Sequence, residues 1–202
     1  MKSARIVLVP LTLLALLIPQ ARAAGCCCAA AGAGPAAPTE RSIYQLDATW
    51  TDDAGRPFKL AELRGRPVVL ALFFTSCGYA CPRIVADMTR VRETLPAAVR
   101  VQARFVLVSF DDQRDTAPVL HAYREQHELP ADGWVLVRGT PDDIRELAAV
   151  LGVQYKRDAL GMFEHSNLIT VLNADGEIVH QRAGLEGGLA QVGQAVVAAN
   201  TR

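Results

Sequence analysis

The chain has 202 residues, with 21 basic and 21 acidic side chains, half of its residues hydrophobic and five cysteines. Lys2, Arg5 and Arg22 lie in the first 25 residues and no acid does, so loss of that segment leaves 18 bases against 21 acids, a net charge of −3. Without a basic excess or cluster the chain is not built to hold nucleic acid. The roughly 160 residues beyond residue 40 are enough for one domain with its own core.

Residues 6–18 form an apolar stretch of 13 residues, against about 20 needed to span a bilayer as a helix. With its basic flank and the small-residue site Ala21-Arg22-Ala23, the segment 1–25 reads as a secretory signal peptide. A retained N-terminal anchor is an alternative. So is lipidation of Cys26, which follows the small residues Ala23, Ala24 and Gly25. Residues 26–40 carry Cys26, Cys27 and Cys28 among alanine, glycine and proline. Such a segment has nothing to bury and is expected to be a flexible linker. A lipid anchor suits the cysteine triplet better than a metal site. The folded domain is then 41–202.

Within the domain, residues 44–59 read as a short hairpin turning at Asp52-Asp53-Ala54-Gly55. Residues 67–74 are apolar on both alternating faces, as a central strand covered on both sides should be. A helix beginning at Cys81-Pro82 follows, with Ile84, Val85, Met88, Val91 and Leu95 at helical spacing. A second buried strand covers 105–109, and Thr116 opens a helix that turns Leu120 and Tyr123 inward. Residues 134–137 form a third strand. Thr140-Pro141 starts a helix with Ile144, Leu147 and Leu151 on one face and Gly152 at its end. Strands at 168–172 and 177–180 flank the turn signal Asn-Ala-Asp-Gly, and Leu189, Val192, Val196 and Val197 mark a last helix. This order predicts an α/β, thioredoxin-like fold: a mixed central sheet flanked by helices, with an N-terminal β-hairpin extension.

The chemistry concentrates at Cys77 and Cys81, between the 67–74 strand and the following helix. A helix N-terminus offers unpaired N–H groups and roughly half a positive charge. That setting favours thiolate, the form that attacks disulfides and binds soft metals. A purely structural disulfide is the bland alternative, but a bridge closing so short a loop restrains the unfolded chain little. Redox and metal chemistry both remain open from these residues alone.

The run Phe73-Phe74-Thr75-Ser76-Cys77-Gly78-Tyr79-Ala80-Cys81-Pro82 resembles the Cys-x-x-x-Cys-Pro motif of the Sco/SenC family of thioredoxin-like copper proteins. Ser109-Phe110-Asp111-Asp112-Gln113-Arg114-Asp115-Thr116 is similar to that family's Ser-x-Asp-Pro-x-Arg-Asp-Thr, with Asp112 in place of proline. Phe163-Glu164-His165-Ser166 resembles its Asp-His-Ser segment, with Glu164 in place of aspartate. The resemblance runs from about residue 44 to residue 199. It implies one copper ion, Cu(I) or Cu(II), held by Cys77, Cys81 and His165. Two thiolates and an imidazole are a soft set that suits Cu(I) and tolerates Cu(II), whereas zinc asks for a fourth ligand.

The other histidines have plainer readings. His127 is expected to pack at half burial on the face of Leu120, His121 to be solvated, and His180 to end a surface strand. Asp111, Asp112 and Asp115 suit a helix start, and the resemblance also places their loop near the metal. The implied function is a metallochaperone of the periplasm or the outer face of the cytoplasmic membrane. It would deliver copper to a client copper enzyme, or reduce that client's cysteines. The client would be a cytochrome c oxidase subunit or another exported copper reductase. A thiol reductant of the envelope is an implied partner, and membrane tethering goes with the anchor readings. The alternative is a thiol–disulfide oxidoreductase without copper, in which Cys77 of the redox-active pair attacks and Cys81 resolves.

Overall fold

A computed structural model describes residues 38–158 and 163–201. The expected signal segment 1–25 and the expected linker up to residue 37, with Cys26, Cys27 and Cys28, lie outside the described residues. Thr39 is already tied to the domain, its Oγ1 donating to Glu177 Oε1 at 2.7 Å.

The elements follow one another as β1 (Trp50–Asp52), β2 (Pro57–Phe58), β3 (Val68–Phe73), α1 (Ala80–Thr94), α2 (Ala97–Gln102), β4 (Arg104–Ser109), α3 (Ala117–Gln126), β5 (Trp134–Arg138), α4 (Pro141–Leu151), β6 (Tyr155–Arg157), β7 (Phe163–His165), β8 (Leu168–Leu172), β9 (Ile178–Ala183) and α5 (Leu189–Ala199). Seven strands form one sheet in the order β2-β1-β5-β4-β3-β8-β9, and β6 and β7 pair separately. β3 is parallel to β4, and β4 to β5, while β8 runs antiparallel to β3. The sheet is therefore mixed, as expected. The N-terminal hairpin is part of it, because β1 pairs antiparallel with β5 and extends the edge.

All six residues of β3 are buried. Its continuous Val-Val-Leu-Ala-Leu-Phe run is what a strand covered on both faces requires. Each such side chain contributes about 1.5–3 kcal/mol on full burial, and truncating Leu70 to alanine is expected to cost about 2–5 kcal/mol. α1 buries Ile84, Val85, Met88 and Val91 and packs against α5, which in turn covers β8 and β9. α4 starts with a capping box between Thr140 and Asp143 and stops at Gly152, whose φ of +72° suits glycine. The β8–β9 turn requires Gly176. Its φ is +81°, and a Cβ there would sit 2.6 Å from the Tyr44 ring.

Three local expectations change. α2 is a short helix that the pattern did not signal, since it buries only Val99. β9 runs on to Ala183 because it pairs along the whole of β8. His180 therefore sits inside that strand, half-buried, with its Nε2 enclosed and without a partner among the described residues. Tyr155–Arg157 and Phe163–His165 form the paired strands β6 and β7, which were not among the expected elements, and His165 ends β7. No helix among the described residues is long and apolar enough to cross a membrane.

Candidate metal centre

β3 delivers the chain to the site, and α1 carries it away. Tyr79 is the N-cap of α1, but its side chain makes no cap bond. Cys77 supplies an acceptor in its place, taking the Cys81 backbone N–H on Sγ at 3.3 Å. The strand-to-helix loop is fixed from below by Asp115, which is fully buried. Its carboxylate accepts from the Thr75 N–H at 3.0 Å, from Thr75 Oγ1, and from Ser109 Oγ. Asp115, expected as a helix-start acid in a loop that the resemblance places near the metal, anchors the loop that leads to Cys77. It holds the loop through Thr75, and its charge adds to the burial-driven rise of the Cys81 pKa.

His165 comes from the other side, 84 residues further along. β6 and β7 pair Tyr155 with His165 and Arg157 with Phe163. The imidazole lies against the rings of Phe110 and Phe74, with centroids 5.1 and 5.8 Å away. Its Nδ1 is 3.2 Å from the Ser166 carbonyl oxygen. A carbonyl can only accept, so Nδ1 carries the proton and Nε2 keeps its lone pair. That Nε2 is 3.8 Å from Cys81 Sγ. Burial lowers the His165 pKa, against a smaller opposing pull from the Ser166 carbonyl, which keeps the imidazole neutral and able to bind metal.

The sulfurs of Cys77 and Cys81 and a ring nitrogen of His165 lie within 4.8 Å of one another, the one such group among the described residues. Ligand atoms at about 2.0–2.3 Å from a shared ion stand roughly 3.5–4 Å apart, so a small contraction would close the set. The three could hold a metal, and two sulfurs with one imidazole form a soft, low-coordinate donor set that fits copper.

The two thiols are not equivalent: the helix end favours thiolate at Cys77 and not at Cys81. Both are free. Cys77 is half-exposed. Burial pushes its pKa up, but the backbone N–H of Cys81 and those of Tyr79 and Ala80 outweigh that, and the net shift is downward. Cys81 is fully enclosed, and burial pushes its thiol well above the ordinary range, with the neighbouring Cys77 adding to the rise.

The remaining candidates are elsewhere. His121 is exposed between Asp53 and Glu125, each 3.5 Å away. His127 stacks on Tyr123 with centroids 4.1 Å apart, at the half burial expected. Asp111 is buried and paired with Arg114 and Arg157. Asp112, where the family has proline, accepts from Arg138 through its carbonyl at 2.7 Å. Not expected from the sequence was the aromatic packing of Phe74 and Phe110 against His165, with Tyr155 and Phe163 packed on Phe110. Its signal was the alternation of Tyr155 with Arg157 and of Phe163 with His165.

Comparison with known proteins gives one consistent result. The SCO1/SenC family matches residues 36–196. A candidate copper-binding protein of Stutzerimonas stutzeri is 30% identical over 154 residues, which cover 74% of this chain and 73% of that one. The structure of BsSco, a member of the Sco family of cytochrome c oxidase assembly proteins, is 22% identical with a TM-score of 0.68, covering 82% of this chain and 96% of that one. Arabidopsis thaliana ScoI, solved with copper bound, is 20% identical with a TM-score of 0.64, covering 75% of this chain and 94% of that one. The structural likenesses establish the thioredoxin-like fold.

Proposed function

This chain belongs to the SCO1/SenC family, and we propose on that premise that it is an exported copper-binding metallochaperone. It takes up one copper ion on Cys77, Cys81 and His165 and serves a client copper enzyme. The observation that carries the reading is the meeting of the three side chains from separate elements, with the His165 lone pair turned toward Cys81. Disulfide exchange alone has no use for that imidazole.

Copper is cargo here, bound by reduced thiols and released by ligand exchange to the client. The copper-binding relative and the Sco proteins solved with copper support this choice of metal. Assembly of cytochrome c oxidase is the client role that the Sco family name suggests; another exported copper reductase is the alternative client. The signal-like segment 1–25 and the linker 26–40 support an envelope location, periplasmic or held at the outer face of the cytoplasmic membrane. A thiol reductant of the envelope would keep the cysteine pair reduced.

The unequal cysteines favour a second reading, a thiol–disulfide oxidoreductase. The Cys77 thiolate would attack a client disulfide, releasing one client sulfur as a thiolate and leaving a mixed disulfide. Cys81, deprotonated, would then attack Cys77 Sγ, release the second client thiolate and close the Cys77–Cys81 disulfide. His165→Ala separates the two. The chaperone reading expects copper affinity and client maturation to fall together while disulfide exchange persists. If that variant matures the client normally and either cysteine variant fails, the protein works as a reductant.

A further inference from the structure

We infer that Arg157 is the positioning residue that sets His165 against the two cysteines, an inference that rests on the copper-binding reading above. The β6–β7 hairpin is only two strands of three residues, outside the main sheet. Alternation along both strands puts Tyr155, Arg157, Phe163 and His165 on one face, while Lys156 and Glu164 are exposed. What holds that face to the domain is therefore what places the imidazole.

Arg157 makes that attachment in two directions. Its Nη2 donates to Asp111 Oδ1 at 3.1 Å and lies 3.5 Å from Asp112 Oδ1. Its guanidinium carbon sits 4.7 Å from the centroid of the Phe163 ring, its cross-strand partner. Asp111 is a firm anchor, fully buried and bonded within its own loop by the Arg114 N–H at 3.2 Å. The same loop presents Phe110, whose ring stacks on Tyr155 at 5.3 Å and lies 5.1 Å from His165. Ionic and ring contacts thus join the same two segments. The rings supply burial without direction; the Nη2–Asp111 ion pair supplies a fixed distance.

The test is anaerobic Cu(I) competition titration of the full, reduced chain against a chelator of known affinity. The wild type, Arg157→Ala, Arg157→Lys, His165→Ala and the Arg157→Ala/His165→Ala double variant are compared, with thermal melting run on each. Arg157→Ala is expected to weaken copper binding by about 10–100-fold, the usual effect of removing an orienting partner. Arg157→Lys keeps the charge and is expected to lie between Arg157→Ala and wild type, because an ammonium can pair with Asp111 but lacks the planar guanidinium that lies over Phe163. On the His165→Ala background, loss of Arg157 is expected to change affinity less than about twofold. The Cu(II)-loaded variants add a second readout, since a displaced imidazole shifts the thiolate-to-copper absorption band. The inference is overturned if Arg157→Ala and Arg157→Lys both bind like wild type, or if the loss is equally large without His165. If His165→Ala itself binds like wild type, the ligand assignment falls first and takes this inference with it.

Discussion

Cys81 N–H donates to Cys77 Sγ at 3.3 Å, so one cysteine of the pair caps the helix that buries the other. The sulfur occupies the place of an N-cap oxygen and gathers the positive end of α1. Cys77, whose pKa is lowered, is consequently expected to be the more reactive thiol. A lowered folded pKa means that thiolate is present at lower pH and is lost as pH falls through that value. The alkylation rate of Cys77 should therefore reach half its maximum below about pH 8.5, where a free cysteine titrates. Cys81 should react at least about tenfold more slowly. Peptide mapping after timed iodoacetamide treatment checks this, and preferential labelling of Cys81 would refute it.

Copper should bind with one equivalent per chain, and Cys77→Ser or Cys81→Ser should abolish tight binding. Its pH dependence should come from the thiols. His165 has a lowered pKa, so protons compete for its Nε2 only below the ordinary histidine range. Between about pH 6.5 and 8 the slope of log affinity against pH should therefore match in wild type and His165→Ala. A slope shallower by one proton in the variant would show that the imidazole titrates in that window.

Asp115→Ala should destabilise the domain as well as loosen the site. It leaves the Thr75 N–H, the Thr75 hydroxyl and the Ser109 hydroxyl without their acceptor. At about 1–3 kcal/mol for each buried group left unsatisfied, the loss should exceed about 2 kcal/mol. Urea unfolding of the reduced, metal-free chain measures it. An unchanged midpoint would mean that water replaces the carboxylate.

Arg182 and Asp87 join β9 to α1 at 2.9 Å, with side chains only 5% and 10% exposed. Asp87→Ala strands a buried guanidinium and should cost about 3–5 kcal/mol, whereas replacing both residues by leucine or methionine should cost much less. Equal losses in the single and double variants would show that packing, and not charge, sets the penalty.

The sheet was legible because its central strands are apolar on both faces, and α1, α3, α4 and α5 because their buried residues recur at helical spacing. The cysteine pair stood out at a strand-to-helix junction for the same reason. The β6–β7 hairpin escaped because three-residue strands carry too little periodicity, and it is packed by Phe74 and Phe110 from far away in sequence. The role of Asp115 was hidden likewise, since its partner Thr75 lies 40 residues earlier. The inequality of the two thiols depends on which sulfur meets the Cys81 N–H, which spacing alone does not determine.

The distance along the chain between Cys81 and His165, 84 residues, has a thermodynamic consequence. In an unfolded chain the two thiols remain neighbours, but bringing the imidazole to them carries a loop-closure cost that grows as about (3/2)RT ln n. Of these three ligands the unfolded state therefore offers an ion two close together, and the native state all three. Whatever affinity the imidazole adds belongs to the native state alone. The ion then becomes a ligand of the fold, raising its melting temperature in proportion to the logarithm of the free copper concentration, and His165 is the residue through which that linkage acts.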